Sequence, residues 1–154
     1  MFGSDIVNVL STDLKCAPVF RGVFASDMLP TYLNKGTTHA LVVNLDAHDK
    51  PGSHWVGVFI NASGSCIYFD PIGFPPFVHT IKDFISRNCT ALQCNTMTIQ
   101  NILSYTCGYY VIYFLRQMVR GVSLHDFQSK FKVNNFHLND FFICNVYNKK
   151  MLLV

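Results

Sequence analysis

Charge is scarce in this chain. Of its 154 residues only 14% are Asp, Glu, Lys or Arg, against about a quarter in an average globular domain. A composition so poor in charge and 50% hydrophobic excludes a disordered or solvating segment. Long apolar runs are missing too. No segment approaches the roughly 18 residues of a membrane span, so no membrane contact is expected. The opening residues, MFGSDIVNVL, hold no basic n-region and include Asp5, so neither a signal peptide nor secretion is expected. The six cysteines, Cys16, Cys66, Cys89, Cys94, Cys107 and Cys144, form no CxxC pair and no dense framework. They fit free thiols in a reducing compartment, and no metal site is expected. Repeats, low-complexity segments and linkers are also lacking, which leaves a single domain over 1–154. A net charge of +3 permits contact with nucleic acid without requiring it.

What is present is enough apolar material for a real core, arranged in short segments. Ile6, Val7, Val9, Leu10 and Leu14 space as an amphipathic helix over 5–14, capped by Ser4 or Asp5. Residues 20–33 read as loop with one short strand. HALVVNL (39–45), HWVGVFI (54–60), CIYFD (66–70) and LQCNTMTI (92–99) read as strands, and FVHTIKDFISR (77–87) as a helix with Phe77, Ile81, Phe84 and Ile85 on its core face. CGYYVIYFLRQMVR (107–120) runs 14 residues without a breaker. That is long for a strand, so it reads as a helix buried on all sides and closed by Gly121. Two further helices fit 123–131, with Ser123 as N-cap, and 137–147. Strands in the middle with helices at both ends indicate an α+β fold.

Cys107 opens the apolar helix. There the unpaired N–H groups and the positive end of the dipole favour a thiolate, the nucleophilic form. Such chemistry needs a base held by a rigid element and oriented by an acceptor. His54 starts one strand and Asp70 ends the next, with Asn61–Ser65 as the hairpin loop between them. Pairing Ile60 with Cys66 makes His54 and Asp70 diagonal neighbours on one face, roughly 7–8 Å apart at the backbone. Pairing Ile60 with Gly64 sets them directly opposite, and an odd register separates them by a face. Gln100, seven positions before Cys107, offers an amide to an oxyanion beside the Cys107 backbone N–H. Each residue alone has an ordinary structural reading: a core thiol, a strand histidine, a turn aspartate. Cys16, Cys66 and Cys144 read as core thiols. His125 is a rival base, but beside Asp126 on a polar-faced helix it reads as surface.

In combination these residues resemble a known family. His54-Trp55, the run Phe69-Asp70-Pro71-Ile72-Gly73-Phe74, and Gln100 ahead of Cys107-Gly108 are similar to the adenovirus maturation protease (adenain) family, including relatives in virus-like elements. The segment from Asp13 to Phe24 matches that family's N-terminal part, and the likeness extends from about Ile6 to Gly121. The resemblance implies a cysteine protease fold related to papain but rearranged in sequence, with a central mixed sheet flanked by helices. It implies a triad of His54, Asp70 and Cys107, with Gln100 in the oxyanion hole. It further implies cleavage of viral precursor proteins at Gly-rich sites during particle maturation, by a monomer in the virion and in the host nucleus or a cytoplasmic virus factory. Family members are activated by a disulfide-linked viral peptide and by DNA; Cys89 or Cys94 would serve for such a bond. Two departures stand out. Asp70 replaces the usual Glu, and the chain is short after Gly121, where some peptide- or DNA-binding surface is expected to be missing. A protease of ubiquitin-like modifiers is the alternative activity, and a non-catalytic binding module the alternative of another class.

Overall fold

The two valine-rich strands in the middle of the chain are buried on both faces, and they become the centre of the sheet. The computed structural model describes the backbone of residues 1–151 and the side chains of residues 1–147. Its elements run α1 (Gly3–Thr12), β1 (Phe20–Ala25), β2 (His39–Asn44), β3 (Trp55–Ile60), β4 (Ser65–Phe69), α2 (His79–Asn88), β5 (Ala91–Cys94), α3 (Cys107–Met118), α4 (Leu124–Gln128) and α5 (Phe136–Met151). The five strands lie in chain order. β2, β3 and β4 are antiparallel, while β1 and β5 add to the edges in parallel. The architecture is the α+β arrangement expected, with a mixed sheet. Among the described residues no helix is long and apolar enough to cross a membrane.

Alternation along the strands divides the core in two. Leu41, Val43, Val56, Val58, Cys66 and Tyr68 pack against Ile81, Phe84 and Ile85 of α2. Ala40, Val42 and Phe69 face the other way, onto α1, α3, α4 and α5. On that side the Phe69 and Phe114 rings stack at 4.6 Å, and Phe127 meets both edge-on. The sheet approaches α3 closely at Gly57, where a β-carbon would lie 2.9 Å from the Phe114 ring. Glycine is therefore required there for the helix to seat.

Several boundaries differ from expectation. α1 starts at Gly3; Asp5 reaches back from the first turn to accept from Phe2 N–H at 2.9 Å, and neither Ser4 nor Asp5 is the cap residue itself. α2 begins two residues late, at His79 after an extended Val78 N-cap, and Phe77 is left 60% exposed. α3 is not buried all round: Tyr109, Tyr113, Arg116 and Gln117 form a half-buried stripe. The strand expected over 92–99 leaves the sheet after Cys94, since β4, its partner, ends at Phe69 and is followed by Pro71. Ser123 does cap α4, accepting from Asp126 N–H at 3.0 Å.

α1 is tied to α3 by a buried carboxylate. Asp13 lies 2.6 Å from Arg116 Nε and 3.0 Å from Arg120 Nη2. It also accepts from the N–H groups of Lys15 and Cys16. Burial pushes its pKa up, but the backbone donors and the two guanidinium groups outweigh it and bring it to about 2. A depressed carboxylate stabilises the fold above its ordinary value of 3.8, and that contribution fades as pH falls through about 2. We expect Asp13→Leu to lower the unfolding free energy at pH 7 by about 2–3 kcal/mol, read by urea denaturation. The difference from wild type should shrink below pH 4.

Candidate active site

The hairpin register decides whether histidine and acid meet. Ile60 pairs with Cys66 and Gly57 with Phe69, the first of the registers considered above. His54 and Asp70 sit one step beyond the open ends of β3 and β4. His54 Nε2 donates to Asp70 Oδ1 at 2.7 Å, which leaves Nδ1 for the Cys107 sulfur. Asp70 is only 1% exposed. Its Oδ1 also accepts from Ile72 N–H at 2.8 Å.

Asp70 is held at its backbone by a residue that the sequence did not flag. Asn95, fully buried where β5 ends, accepts from Asp70 N–H at 2.8 Å and donates to Asp70 C=O at 2.6 Å. Its side chain imitates a ladder partner where the strand has run out. Nothing in composition or periodicity singles it out; the only signal is an asparagine at the end of an apolar run. Gly73 then closes a turn back to Asp70 C=O at 2.8 Å. Its φ of +89° and its contact with the Met97–Thr98 backbone leave no room for a side chain.

Cys107 is the first residue of α3 and is 8% exposed. Burial raises its pKa, but hydrogen bonds from the His54 ring and from the N–H groups of Trp55 and Gly108 prevail and hold it below the ordinary thiol value. Burial likewise pulls His54 down. Its hydrogen bonds to Asp70 and to the Cys107 sulfur reverse this and lift it to about 9. The pair is thus biased toward imidazolium and thiolate.

Gln100 is buried and lines the same cleft as Cys107 and His54, a cavity of about 670 Å³. Its amide nitrogen donates to Ser104 C=O at 3.0 Å and lies 3.3 Å from Ser104 Oγ, while Oε1 has no partner. Met1, Val23, Phe24 and Trp55 line one part of the cleft, the loop 46–53 another, and Ile102 and Tyr105 the rim beside the nucleophile.

The remaining candidates lie elsewhere. Cys16 and Cys66 are core thiols as expected, whereas Cys144 is half-buried. Cys89 packs beside Cys66, and Cys94 closes the edge strand β5; both are half-buried free thiols, and neither lines the cleft. Among the histidines, His39 accepts from Arg21 at 2.7 Å, His48 pairs with Asp27, and His79 with Asp83. His125 lies exposed on α4, as its neighbourhood suggested.

The family model of the Ulp1 protease family, C-terminal catalytic domain, matches residues 23–147. The chain belongs to the Ulp1 protease family. Membership makes this Ulp1-family domain a cysteine peptidase, a hydrolase that acts on proteins. The protease of bovine adenovirus 4 is 26% identical to it over 97% of this chain and 92% of its own length. The protease of bovine adenovirus 2 is 29% identical over 70% of this chain and 58% of its own. These relatives are viral proteases, and the likeness to adenovirus enzymes drawn from the motifs is borne out. Among solved structures, the central domain of the uncharacterized Lpg1148 protein from Legionella pneumophila aligns with a TM-score of 0.54 at 13% identity. It covers 100% of this chain and 98% of that one, and shows the shared fold.

The His54–Asp70 bond carries a pH signature. A raised histidine pKa stabilises the fold fully below 6.5 and loses that contribution as pH rises through about 9. We expect Asp70→Asn to shift loss of the imidazolium to lower pH and to slow alkylation of Cys107 by iodoacetamide at pH 7 by roughly tenfold or more. Its stability deficit against wild type should diminish above pH 9.

Proposed function

We propose that this domain is a viral endopeptidase that cleaves capsid or core precursor proteins during particle maturation, with His54, Asp70 and Cys107 as its triad. The observation that carries this reading is the His54 ring, hydrogen-bonded to a buried carboxylate and lining one open cleft together with the cysteine that starts α3. The Cys107 thiolate adds to the scissile carbonyl carbon and forms the C–S bond. The Cys107 N–H and the Gln100 amide receive the oxyanion. As the tetrahedral adduct collapses, the C–N bond breaks and His54 passes its proton to the leaving amine. Water, deprotonated by His54, then attacks the thioester; the acid is released and the sulfur is regenerated. Asp70 keeps the ring oriented and its charge compensated throughout.

The reading extends to partners. Gly-rich cleavage sites suit a cysteine seated at the base of a cleft. Activation by a viral peptide is supported by the exposed outer edge of β5, whose free backbone groups adjoin Cys94 and can take an added strand. DNA is a second activator in this proposal, acting on a mildly basic monomer. The sites of action are the virion and the host nucleus or a cytoplasmic virus factory. Ulp1-family membership favours one other reading, a protease of ubiquitin-like modifiers, with the same chemistry on host conjugates.

Cys107→Ala should abolish cleavage of capsid precursors, and limiting iodoacetamide should label Cys107 before the other five cysteines, read by peptide mass mapping. Undiminished cleavage by the alanine variant would refute the triad. Rapid capture by a ubiquitin-type activity probe, with little precursor cleavage, would move the assignment to the second reading. Profiling peptide libraries with and without DNA identifies the site and tests activation.

A further inference from the structure

The loop from Gln100 to Thr106 carries one group assigned to the oxyanion and leads directly into the other, yet it contains no regular structure. Two adjacent residues of α5 hold its ends. At the start, Asn139, 2% exposed, donates to Ile99 C=O at 3.0 Å. The same amide is fixed by donating to Lys132 C=O and accepting from Lys132 N–H. At the far end, Asp140 Oδ1 accepts from Thr106 Oγ1 at 3.1 Å and from Tyr110 Oη at 2.8 Å.

The direction of the hydrogen bonds matters as much as their positions. An ionised carboxylate only accepts. Thr106 must therefore turn its proton to Asp140, and Ser104 Oγ, 2.7 Å from Thr106 Oγ1, shares its own proton between Thr106 Oγ1 and the Asn101 C=O at 2.9 Å. The Gln100 amide nitrogen donates to Ser104 C=O at 3.0 Å and to Ser104 Oγ at 3.3 Å. Asp140 is thus linked through Thr106 and Ser104 to the glutamine amide. Thr106 immediately precedes Cys107, so the same contact orients the peptide that bears the Cys107 N–H.

We propose that Asp140, supported by Asn139, is the positioning residue for the oxyanion side of the site, so that α5 completes an active centre it does not line. The proposal depends on the oxyanion role given above to Gln100 and the Cys107 N–H. Its test uses the full chain and three variants: Asp140→Leu, Asp140→Asn, which keeps the accepting oxygen, and Thr106→Val, which breaks this link while leaving α5 untouched. Three quantities are measured. They are kcat and KM on a peptide that the wild type cleaves, inhibition by the matching peptide aldehyde, whose adduct oxygen occupies the oxyanion position, and the rate of Cys107 alkylation by iodoacetamide, which forms no oxyanion.

Asp140→Leu and Thr106→Val should lower kcat and aldehyde affinity by about 10–100-fold. KM and alkylation should stay within about twofold, and Asp140→Asn should recover kcat to within about threefold of wild type. Should Asp140→Leu fail to fold, Thr106→Val decides alone. Near-wild-type kcat in Thr106→Val, or alkylation falling in parallel with kcat, overturns the proposal; the second result would mean that the Cys–His pair itself had collapsed. A wild type that neither cleaves peptides nor alkylates quickly would instead defeat the protease reading.

Discussion

A carboxylate sealed away from water sets the terms for this site. Asp70 has no access to solvent, and burying an uncompensated charge costs several kcal/mol. Its compensation comes from the His54 ring at 2.7 Å and the Ile72 N–H at 2.8 Å. The price is geometric: His54 must stay where the carboxylate needs it. Folding therefore fixes the base before any substrate arrives. The same bond keeps His54 protonated, which stabilises a thiolate at Cys107 against the burial that would neutralise it.

The hairpin and the Gln100–Cys107 stretch are separate in sequence, and a seam of polar contacts joins them. Ile99 N–H and Gln100 N–H both donate to Pro71 C=O, at 2.9 and 3.1 Å. Thr98 Oγ1 donates to Ile72 C=O at 2.6 Å, and Asn95 grips Asp70. Segment 95–100 thereby runs beside 70–72 without being a strand. Proline at 71 suits the seam, because only its carbonyl is used. Behind it, Phe69 stacks on Phe114, so the acid's neighbour packs on the helix that carries the nucleophile.

Much of this was legible in the sequence. Alternation located the central strands, and the hairpin length limited the register to a few choices, one of which the fold adopts. Cys107 at a helix start followed from local rules, and His54 beside Asp70 was one of the arrangements that those registers allowed. Asn95, Asn139 and Asp140 were not legible. Each acts through side-chain bonds to backbone or hydroxyl groups distant in sequence, and such bonds leave no period and no motif. The overlong strand at 92–99 failed for a related reason: its later residues include the strand-favouring Thr96, Thr98 and Ile99, but their partner strand has already ended. Phe77 was misplaced because hydrophobic spacing continued through a segment that lies ahead of the helix.

The contacts from α5 have a meaning for synthesis. A chain emerging from the ribosome presents His54, Asp70 and Cys107 well before residues 136–151 have been made. Without Asn139 on the Ile99 carbonyl and Asp140 on the Thr106 hydroxyl, the loop between Gln100 and Cys107 keeps its bonds to Pro71 but loses its hold on α5 at both ends. On the role proposed for Asp140, hydrolytic competence then arrives with α5. On that role, a protease built this way would gain full activity only after the residues of its triad have been made.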